Sequence, residues 1–152
     1  MVTVMATGTF DILHMGHIYF LKEAKKHGDE LVVVVACDQT VRRLKHEPVT
    51  PEQMRLNLVK ELQVVDNAVL GKEDDKFDVV EQVKPDVIAL GYDQIHDEQS
   101  LQQELDKRKL NARIVRLPKY EGTSDLDGTR RIIAKIIEAY GFQRQMEKIE
   151  QK

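Results

Sequence analysis

The sequence predicts an α/β fold, a doubly wound parallel sheet of about five strands with helices on both faces. Short runs rich in β-branched residues alternate with segments of helical periodicity along the chain. Strands separated by helices require right-handed crossovers, which give a parallel sheet. The run LVVVVA at residues 31–36 is apolar throughout, as is typical of a strand covered on both faces. We therefore expect a Rossmann-like domain.

Strands and helices are expected in near-regular alternation. The strands are predicted at residues 2–6, 31–36, 68–70, 86–90 and 112–117. The helices are predicted at residues 16–27, 38–44, 51–62, 75–83, 98–109 and 129–140. One domain is expected over residues 1–141, followed by a charged tail at residues 142–152 that frays.

The helix boundaries follow from capping residues. Gly28 comes after the first helical pattern and fits as its stop. Asp38 is the expected cap of the second helix. The third helix is expected to begin with Thr50 as N-cap and Pro51 at its first position. Gln53 lies three residues after that cap, and together these residues form a capping-box pattern.

The composition limits the partners that the chain can have. Its 152 residues, 41% of them hydrophobic, suit one globular domain. With 23 basic and 26 acidic residues the net charge is −3, so we do not expect a nucleic acid as partner. The longest apolar run is too short to span a membrane, and we see no secretory signal. The single cysteine, Cys37, cannot form an internal disulfide, and these features together favour the cytoplasm.

The stretch ATGTFDILHMGH at residues 6–17 is the strongest candidate for a functional site. It lies between the first strand and the first helix, and ligands of such sheets bind at the carboxyl ends of the strands. Gly8 permits close approach of a ligand, and the helix that begins near Gly16 offers free N–H groups to a phosphate. His14 and His17 add donors whose charge is adjustable near neutral pH. This combination suits stabilisation of charge on phosphorus during group transfer.

The spacing alone is compatible with more than one role for this stretch. The two histidines could be ordinary surface residues, or half of a metal site whose remaining ligands are not evident in the sequence. The turn has neither a Walker pattern nor the G-x-G-x-x-G pattern, so the usual kinase and dinucleotide motifs are excluded. From the residues alone, a phosphate site and a structural turn are both compatible with this stretch.

The motif GTFDILHMGH resembles the signature of the cytidylyltransferase-like nucleotidyltransferases, which carry H-x-G-H. The similarity continues through GDELVVVVACD, PVTPEQMRLNLVKELQVVD, PDVIALGYDQ and LPKYEGTSDLDGTRRII. Within this family the chain is most similar to archaeal FAD synthases, and glycerol-3-phosphate cytidylyltransferases are also similar. Phosphopantetheine adenylyltransferases resemble it less, because they have Thr in place of His14.

The resemblance implies transfer of a nucleotidyl group from a nucleoside triphosphate to a phosphate-bearing acceptor, with loss of pyrophosphate. His14 and His17 are then the catalytic residues. The implied nucleotide-binding residues are Gly8, Thr9, Phe10, His14, Met15, Gly16, His17, Asp93, Tyr120 and Thr129. Candidate phosphate or substrate contacts are Lys45, Arg55 and Lys119. Mg²⁺ or another divalent cation should bridge the triphosphate, and no metal site built from protein side chains is expected.

Several of these residues could instead have a purely structural role. Arg55 could form a surface salt bridge, Asp93 could cap a turn, and Thr129 could be a plain N-cap. Asp11 could assist the metal or brace the turn. Few aromatic residues are available to stack on a flavin ring, and the candidates are Tyr92, Tyr120 and Phe142.

The final loop decides between members of the family. Cytidylyltransferases have RTEGISTT leading into the last helix, whereas this chain has KYEGTSDLDGTRR, with Lys119 for the arginine and about four extra residues. The resemblance therefore favours ATP as substrate and FMN as acceptor. The alternatives are a CTP-dependent glycerol-phosphate cytidylyltransferase and a catalytically weak nucleotide-binding module. The resemblance also implies a homodimer that pairs through the region around the first helices. Archaeal FAD synthases can carry cysteines near the C-terminus, and this chain has none there.

Overall fold

A computed structural model describes residues 1–122 and 126–151 of the chain. Its five strands are β1 (Thr3–Gly8), β2 (Glu30–Val35), β3 (Asn67–Leu70), β4 (Val87–Leu90) and β5 (Arg113–Arg116). Its six helices are α1 (Met15–Lys25), α2 (Asp38–Leu44), α3 (Glu52–Lys60), α4 (Lys76–Val83), α5 (Glu98–Lys107) and α6 (Thr129–Glu150). The alternation of strands and helices predicted from the sequence is confirmed.

The strands form one parallel sheet in the order β3-β2-β1-β4-β5. The direction in which strands are added reverses at β1, so β1 and β4 flank the switch point of the sheet. Ligands of doubly wound sheets bind at this point, beyond the carboxyl ends of the strands. The loop after β1 carries the H-x-G-H stretch, and the turn after β4 carries Asp93. The topology therefore brings these two segments to one edge.

Two apolar clusters cover the two faces of the sheet. Side chains from α1 and α3 pack on one face against Val4 and Ala6 of β1. Side chains from α4 and α5 pack on the other face against Met5. Alternate residues of β1 therefore point into opposite clusters, which explains why the central strands are apolar throughout. The expected layering, with helices on both faces, is confirmed.

Three predicted N-caps are wrong by one residue, although the predicted starts of α2 and α6 are confirmed. The N-cap of α3 is Pro51 rather than Thr50, because the Thr50 hydroxyl donates to the Asp11 carboxylate instead of capping a helix. The N-cap of α2 is Cys37 rather than Asp38. The N-cap of α6 is Gly128, and Thr129 is the first residue of that helix.

The last helix is longer than predicted. It continues through Gly141 to Glu150, whereas the prediction ended it at residue 140 and expected a frayed tail. Glycine inside an exposed helix costs about 1 kcal/mol, which a run of strong helix formers can offset. Most of the side chains of α6 are exposed. Within the described residues, no helix is both long and apolar enough to cross a membrane.

Candidate active site

The loop between β1 and α1 contains two residues in a strained conformation. Phe10 and Ile12 have φ angles of 56° and 54°, in the left-handed region that side chains with a Cβ rarely adopt. Such residues cost on the order of 1–3 kcal/mol each and persist only where the surroundings hold them. Asp11 lies between them and is buried. The contacts of Asp11 explain how the loop keeps this shape.

Asp11 forms hydrogen bonds between the loop and two segments that are distant in the sequence. Its carboxylate accepts hydrogen bonds from the Val49 N–H at 2.8 Å, the Thr50 N–H at 3.0 Å and the Thr50 hydroxyl at 2.6 Å. Its backbone carbonyl accepts from the Thr129 hydroxyl at 2.7 Å. Burial alone would raise the pKa of Asp11, but these hydrogen bonds outweigh it and the pKa lies below its usual value. Asp11 therefore braces the turn, which was one of its two expected roles.

Arg55 lies beneath the same loop with no exposed surface. Its Nη1 donates to the carbonyls of Thr9 and Ala36, both at 2.7 Å, and its Nε donates to the Thr50 carbonyl at 3.0 Å. Its Nη2 forms an ion pair with Asp38 at 2.7 Å. The expected contact with phosphate is thus replaced by four bonds to protein groups. The alternative of a surface salt bridge is also wrong, because this pair is buried.

His14 and His17 hold each other at the start of α1. The Nδ1 of His14 accepts from the Gly16 N–H at 3.0 Å, and the Nδ1 of His17 accepts from the His14 N–H at 3.3 Å. Their rings stack with centroids 3.8 Å apart. Because a backbone N–H donates to each Nδ1, the neutral rings carry their protons on Nε2. Each histidine can therefore offer an Nε2–H donor to a ligand.

Both imidazoles are neutral at pH 7. Burial is the main reason that the pKa of His17 falls to about 3; a proton on His14 would add to this effect, as the charge of Lys45 does, while Asp11 opposes it. Burial also lowers the pKa of His14, and Asp127 opposes that shift. A neutral imidazole that carries its proton on Nε2 still donates one hydrogen bond. Each ring can therefore donate to an anionic oxygen at pH 7 without itself being charged.

Glycine is required inside the motif for reasons of space. A Cβ on Gly16 would lie 2.7 Å from the Asp127 carbonyl oxygen and 2.8 Å from Cε1 of His14. A Cβ on Gly8 would lie 2.9 Å from the Phe10 ring. Gly16 thus lets the segment before α6 pack directly on the histidine loop. This packing brings the final part of the chain to the candidate site.

Lys45 is an exposed cation beside the loop, whereas Arg55 contacts the same loop from the buried side. Lys45 follows α2, and its Nζ lies 3.3 Å from the Thr9 hydroxyl. Its positive charge also acts on His17. Met15, the first residue of α1, is exposed beside the histidines. The loop after β1 therefore gathers a cation and two neutral donors around the start of α1.

The turn after β4 lies next to this loop. The Gln94 side chain donates to the Thr7 carbonyl at 2.7 Å, which fixes the turn to the end of β1. Tyr92 and Asp93 are exposed within the turn, as expected for Asp93 if it contacts a ligand. Gln94 is a residue that sequence reasoning misses, since a single amide in a loop carries no sequence pattern.

Side chains of the final loop contact both the turn after β4 and helix α1. The Lys119 ammonium lies 5.7 Å from the centre of the Tyr92 ring, and the Tyr120 ring lies 5.1 Å from that of Tyr19 in α1. Residues 123–125 of this loop and the side chain of Phe142 lie outside the described part of the molecule. Of the three candidate flavin partners, Tyr92 is 52% exposed and Tyr120 is partly buried.

The pKa of His17 predicts how stability depends on pH. The unfolded residue takes up a proton near pH 6.5, whereas the folded residue resists protonation down to about pH 3. The contribution of His17 to the free energy of unfolding is therefore fully present above pH 6.5, and it is lost as the pH falls towards 3. Asp11, whose folded pKa is also lowered, loses its contribution only below about pH 4.

We expect His17→Asn to flatten the dependence of Tm on pH between pH 6.5 and 4.5. Asparagine does not titrate, and its side-chain oxygen can still accept from the His14 N–H. Thermal unfolding of both proteins across this range is the measurement. If the curves of Tm against pH were parallel for the two proteins, they would contradict the lowered pKa of His17.

The fold and the site together define a class of protein. In doubly wound sheets, a helix start at the switch point is a common binding place for nucleotides and phosphates. Residues 5–138 match the model of the cytidylyltransferase-like family. The chain belongs to this family, and it is a nucleotidyltransferase.

Several curated relatives cover nearly the whole chain. An FAD synthase of Aciduliprofundum boonei is 58% identical over 91% of this chain and 92% of its own length. An FAD synthase of Thermoplasma acidophilum is 52% identical over 93% of this chain and 98% of its own. The predicted resemblance to archaeal FAD synthases is confirmed.

Solved structures support the same fold. A crystal structure of a protein from Thermoplasma volcanium, described as a lipopolysaccharide core biosynthesis protein, is 55% identical with a TM-score of 0.78. The match covers 79% of this chain and 98% of the chain in that structure. A pantoate-beta-alanine ligase from Francisella tularensis shares the fold at 16% identity, with a TM-score of 0.56 over 82% of this chain and 61% of its own.

Proposed function

We propose that this chain transfers AMP from ATP to the phosphate of FMN, giving FAD and pyrophosphate. The observation that carries the proposal is the pair of neutral histidines at the start of α1, whose Nε2–H groups make no hydrogen bond within the described residues. Relatives that are FAD synthases, 49–58% identical over most of the chain, support FMN as the acceptor.

The reaction proposed is a single in-line displacement. A phosphate oxygen of FMN attacks the α-phosphorus of ATP, the bond to the bridging oxygen breaks, and pyrophosphate leaves with the electron pair. The attacking oxygen is already deprotonated at pH 7, so no general base is required. His14 and His17 donate to the oxygens on which charge develops, and Lys45 adds a positive charge beside them. The chemistry then depends on positioning and on preset donors.

The proposed nucleotide site extends along the edge of the sheet. Residues of the loop after β1 line the triphosphate through their backbone, namely Gly8, Thr9, Phe10, Met15 and Gly16. Asp93 is proposed to contact the ribose or the base. The first turn of α6 has no side-chain cap at Gly128, so its N–H groups can take a phosphate. Lys119 and Tyr120 are proposed to contact substrate at this edge of the sheet.

The divalent cation is proposed to bind through the substrate. Among the described residues, no group of three His, Cys, Asp or Glu side chains could hold a metal ion. The Asp11 carboxylate is engaged by three hydrogen bonds and is not a free ligand. Mg²⁺ suits such a site, because it keeps several waters and binds triphosphate oxygens. When bound, it neutralises part of the charge on the triphosphate.

The identities of the two substrates are tested together. We expect kcat/KM for ATP with FMN to exceed that for CTP with glycerol 3-phosphate, measured by release of pyrophosphate. Purine and pyrimidine bases present different hydrogen-bonding edges, so a site that pairs with one leaves polar groups unpaired with the other. A faster reaction with CTP and glycerol 3-phosphate would support the cytidylyltransferase alternative. Nucleotide binding without any transfer would support the weak binding module.

We also propose a homodimer, as the resemblance implies. Two exposed apolar patches could be covered by a second copy, one with Met54 and Leu58 on α3 and one with Ile136 and Ile137 on α6. Sedimentation equilibrium at micromolar concentration should give twice the mass of 17.5 kDa. Met54→Glu or Ile137→Glu, whichever lies at the interface, should return the protein to a monomer. A wild-type monomer would contradict the proposal.

A further inference from the structure

The turn after β4 presents two exposed residues from a fixed backbone. The Gln94 N–H donates to the Gly91 carbonyl at 3.2 Å, which closes a four-residue turn with Tyr92 and Asp93 at its centre. Residues 91–97, all of which the structure describes, lie in neither a helix nor a strand. Besides the backbone hydrogen bonds of the turn, side chains hold the shape of this segment. Two side chains, those of Gln94 and Arg116, supply most of the contacts.

Gln94 extends the pairing of β1 and β4 beyond the last strand residues. The backbone register of the two strands ends at Ala6 and Ala89. Beyond it, the Gln94 Nε2 donates to the Thr7 carbonyl at 2.7 Å, and its Oε1 accepts from the Gly91 N–H at 3.0 Å. The side-chain amide thus takes the position of a peptide group in the ladder. It joins the turn to the strand that leads into the histidine loop.

Arg116 holds the same turn from the opposite side. It is the last residue of β5 and pairs in register with Leu90, where the chain leaves β4. Its Nη1 donates to the carbonyls of Gly91 and Gln94, both at 2.8 Å, and its Nη2 donates to the His96 carbonyl at 2.9 Å. Its Nε donates to the Glu98 carboxylate, also at 2.9 Å. One guanidinium therefore fixes three backbone carbonyls of the segment.

We propose that Arg116 and Gln94 are positioning residues that preform the turn for the nucleoside part of ATP. The inference rests on the proposed function, in which Asp93 contacts the ribose or base. A turn already ordered in the free protein spares the nucleotide the entropic cost of ordering it. Loss of the carbonyl contacts should therefore weaken nucleoside binding and leave the phosphate chemistry intact.

The test is Arg116→Lys, which keeps the charge beside Glu98 but cannot hold three carbonyls at once. We expect Kd for ATP, measured by calorimetry without acceptor, to rise about tenfold. The kcat at saturating ATP should stay within about twofold of wild type, and Kd for pyrophosphate should not change. Gln94→Met, which removes both ends of the amide contact, should give the same pattern.

Arg108→Lys is the matched control. Arg108 also makes several ionic contacts, with Asp75 and Glu81 at α4 and with Glu104 within α5, and none of them involves a residue of the turn. Its substitution should lower Tm without changing Kd for ATP.

The outcomes separate this inference from the proposed function. An unchanged Kd for ATP in Arg116→Lys, with AMP transfer to FMN intact in the wild type, overturns the positioning role alone. Equal changes in Kd for Arg116→Lys and Arg108→Lys also overturn it, because they indicate a general loss of stability. A wild-type protein that binds no ATP overturns both.

Discussion

Replacement of His17 with asparagine should lower kcat by about 10²–10³ while the fold is retained. This is the range observed when one preset donor to a transition-state oxygen is removed, about 2.7–4 kcal/mol. Asparagine can place its side-chain oxygen where Nδ1 accepts from the His14 N–H, so the start of α1 keeps its internal bond. What it lacks is the Nε2–H group. The substitution therefore removes the donor group but keeps the hydrogen bond that the ring accepts from the His14 N–H.

His17→Gln is the matched variant, because its amide nitrogen reaches the position of Nε2. It should recover part of the activity that asparagine loses. Steady-state kinetics with ATP and FMN, together with circular dichroism of each variant, measure the effect. Full activity in a correctly folded His17→Asn protein would rule out a catalytic role for this histidine.

Much of the fold could be predicted because its signals are local. Alternation of β-branched runs with helical patterns gave the order of strands and helices. The errors at helix ends have two causes, one tertiary and one local. Thr50 has the sequence features of an N-cap, but its hydroxyl is used by Asp11, which lies 39 residues away in the chain. Gly141 resembles a helix stop, yet α6 continues through it because neighbouring residues favour the helix.

The site could be predicted only where its residues are adjacent in the sequence. His14, Gly16 and His17 form a motif, and the structure adds why the spacing matters. Arg116 and Gln94 form no motif, since their partners become neighbours only when β1, β4 and β5 pair. The sequence places Arg55 at a phosphate or at the surface because a fully buried arginine is rare. Its acceptors come from three separate segments, and only the folded chain brings them together.

Arg55→Met should cost about 3–5 kcal/mol in the free energy of unfolding. Removal of one partner from a buried ion pair leaves the other charge uncompensated, and in this case Asp38 loses its partner. The carbonyls of Thr9, Ala36 and Thr50 lose their donor as well. The strained loop at Phe10 then loses one of the contacts that hold it. Urea unfolding, followed by circular dichroism, measures the change.

Three further variants, Arg42→Met, Asp38→Asn and the double variant, distinguish the effect of burying the ion pair from the effect of losing a charge. Arg42→Met removes an arginine whose ion pair with Glu47 is exposed, and such a pair contributes little that can be measured. The double variant Arg55→Met/Asp38→Asn should be less destabilised than the two single changes added together, because it leaves no unpaired carboxylate. If Arg55→Met instead matched Arg42→Met in stability, the loop would be held without Arg55. In that case Asp11 would be the main support of the histidine site, because it accepts hydrogen bonds from the segment before α3 and from Thr129 of α6.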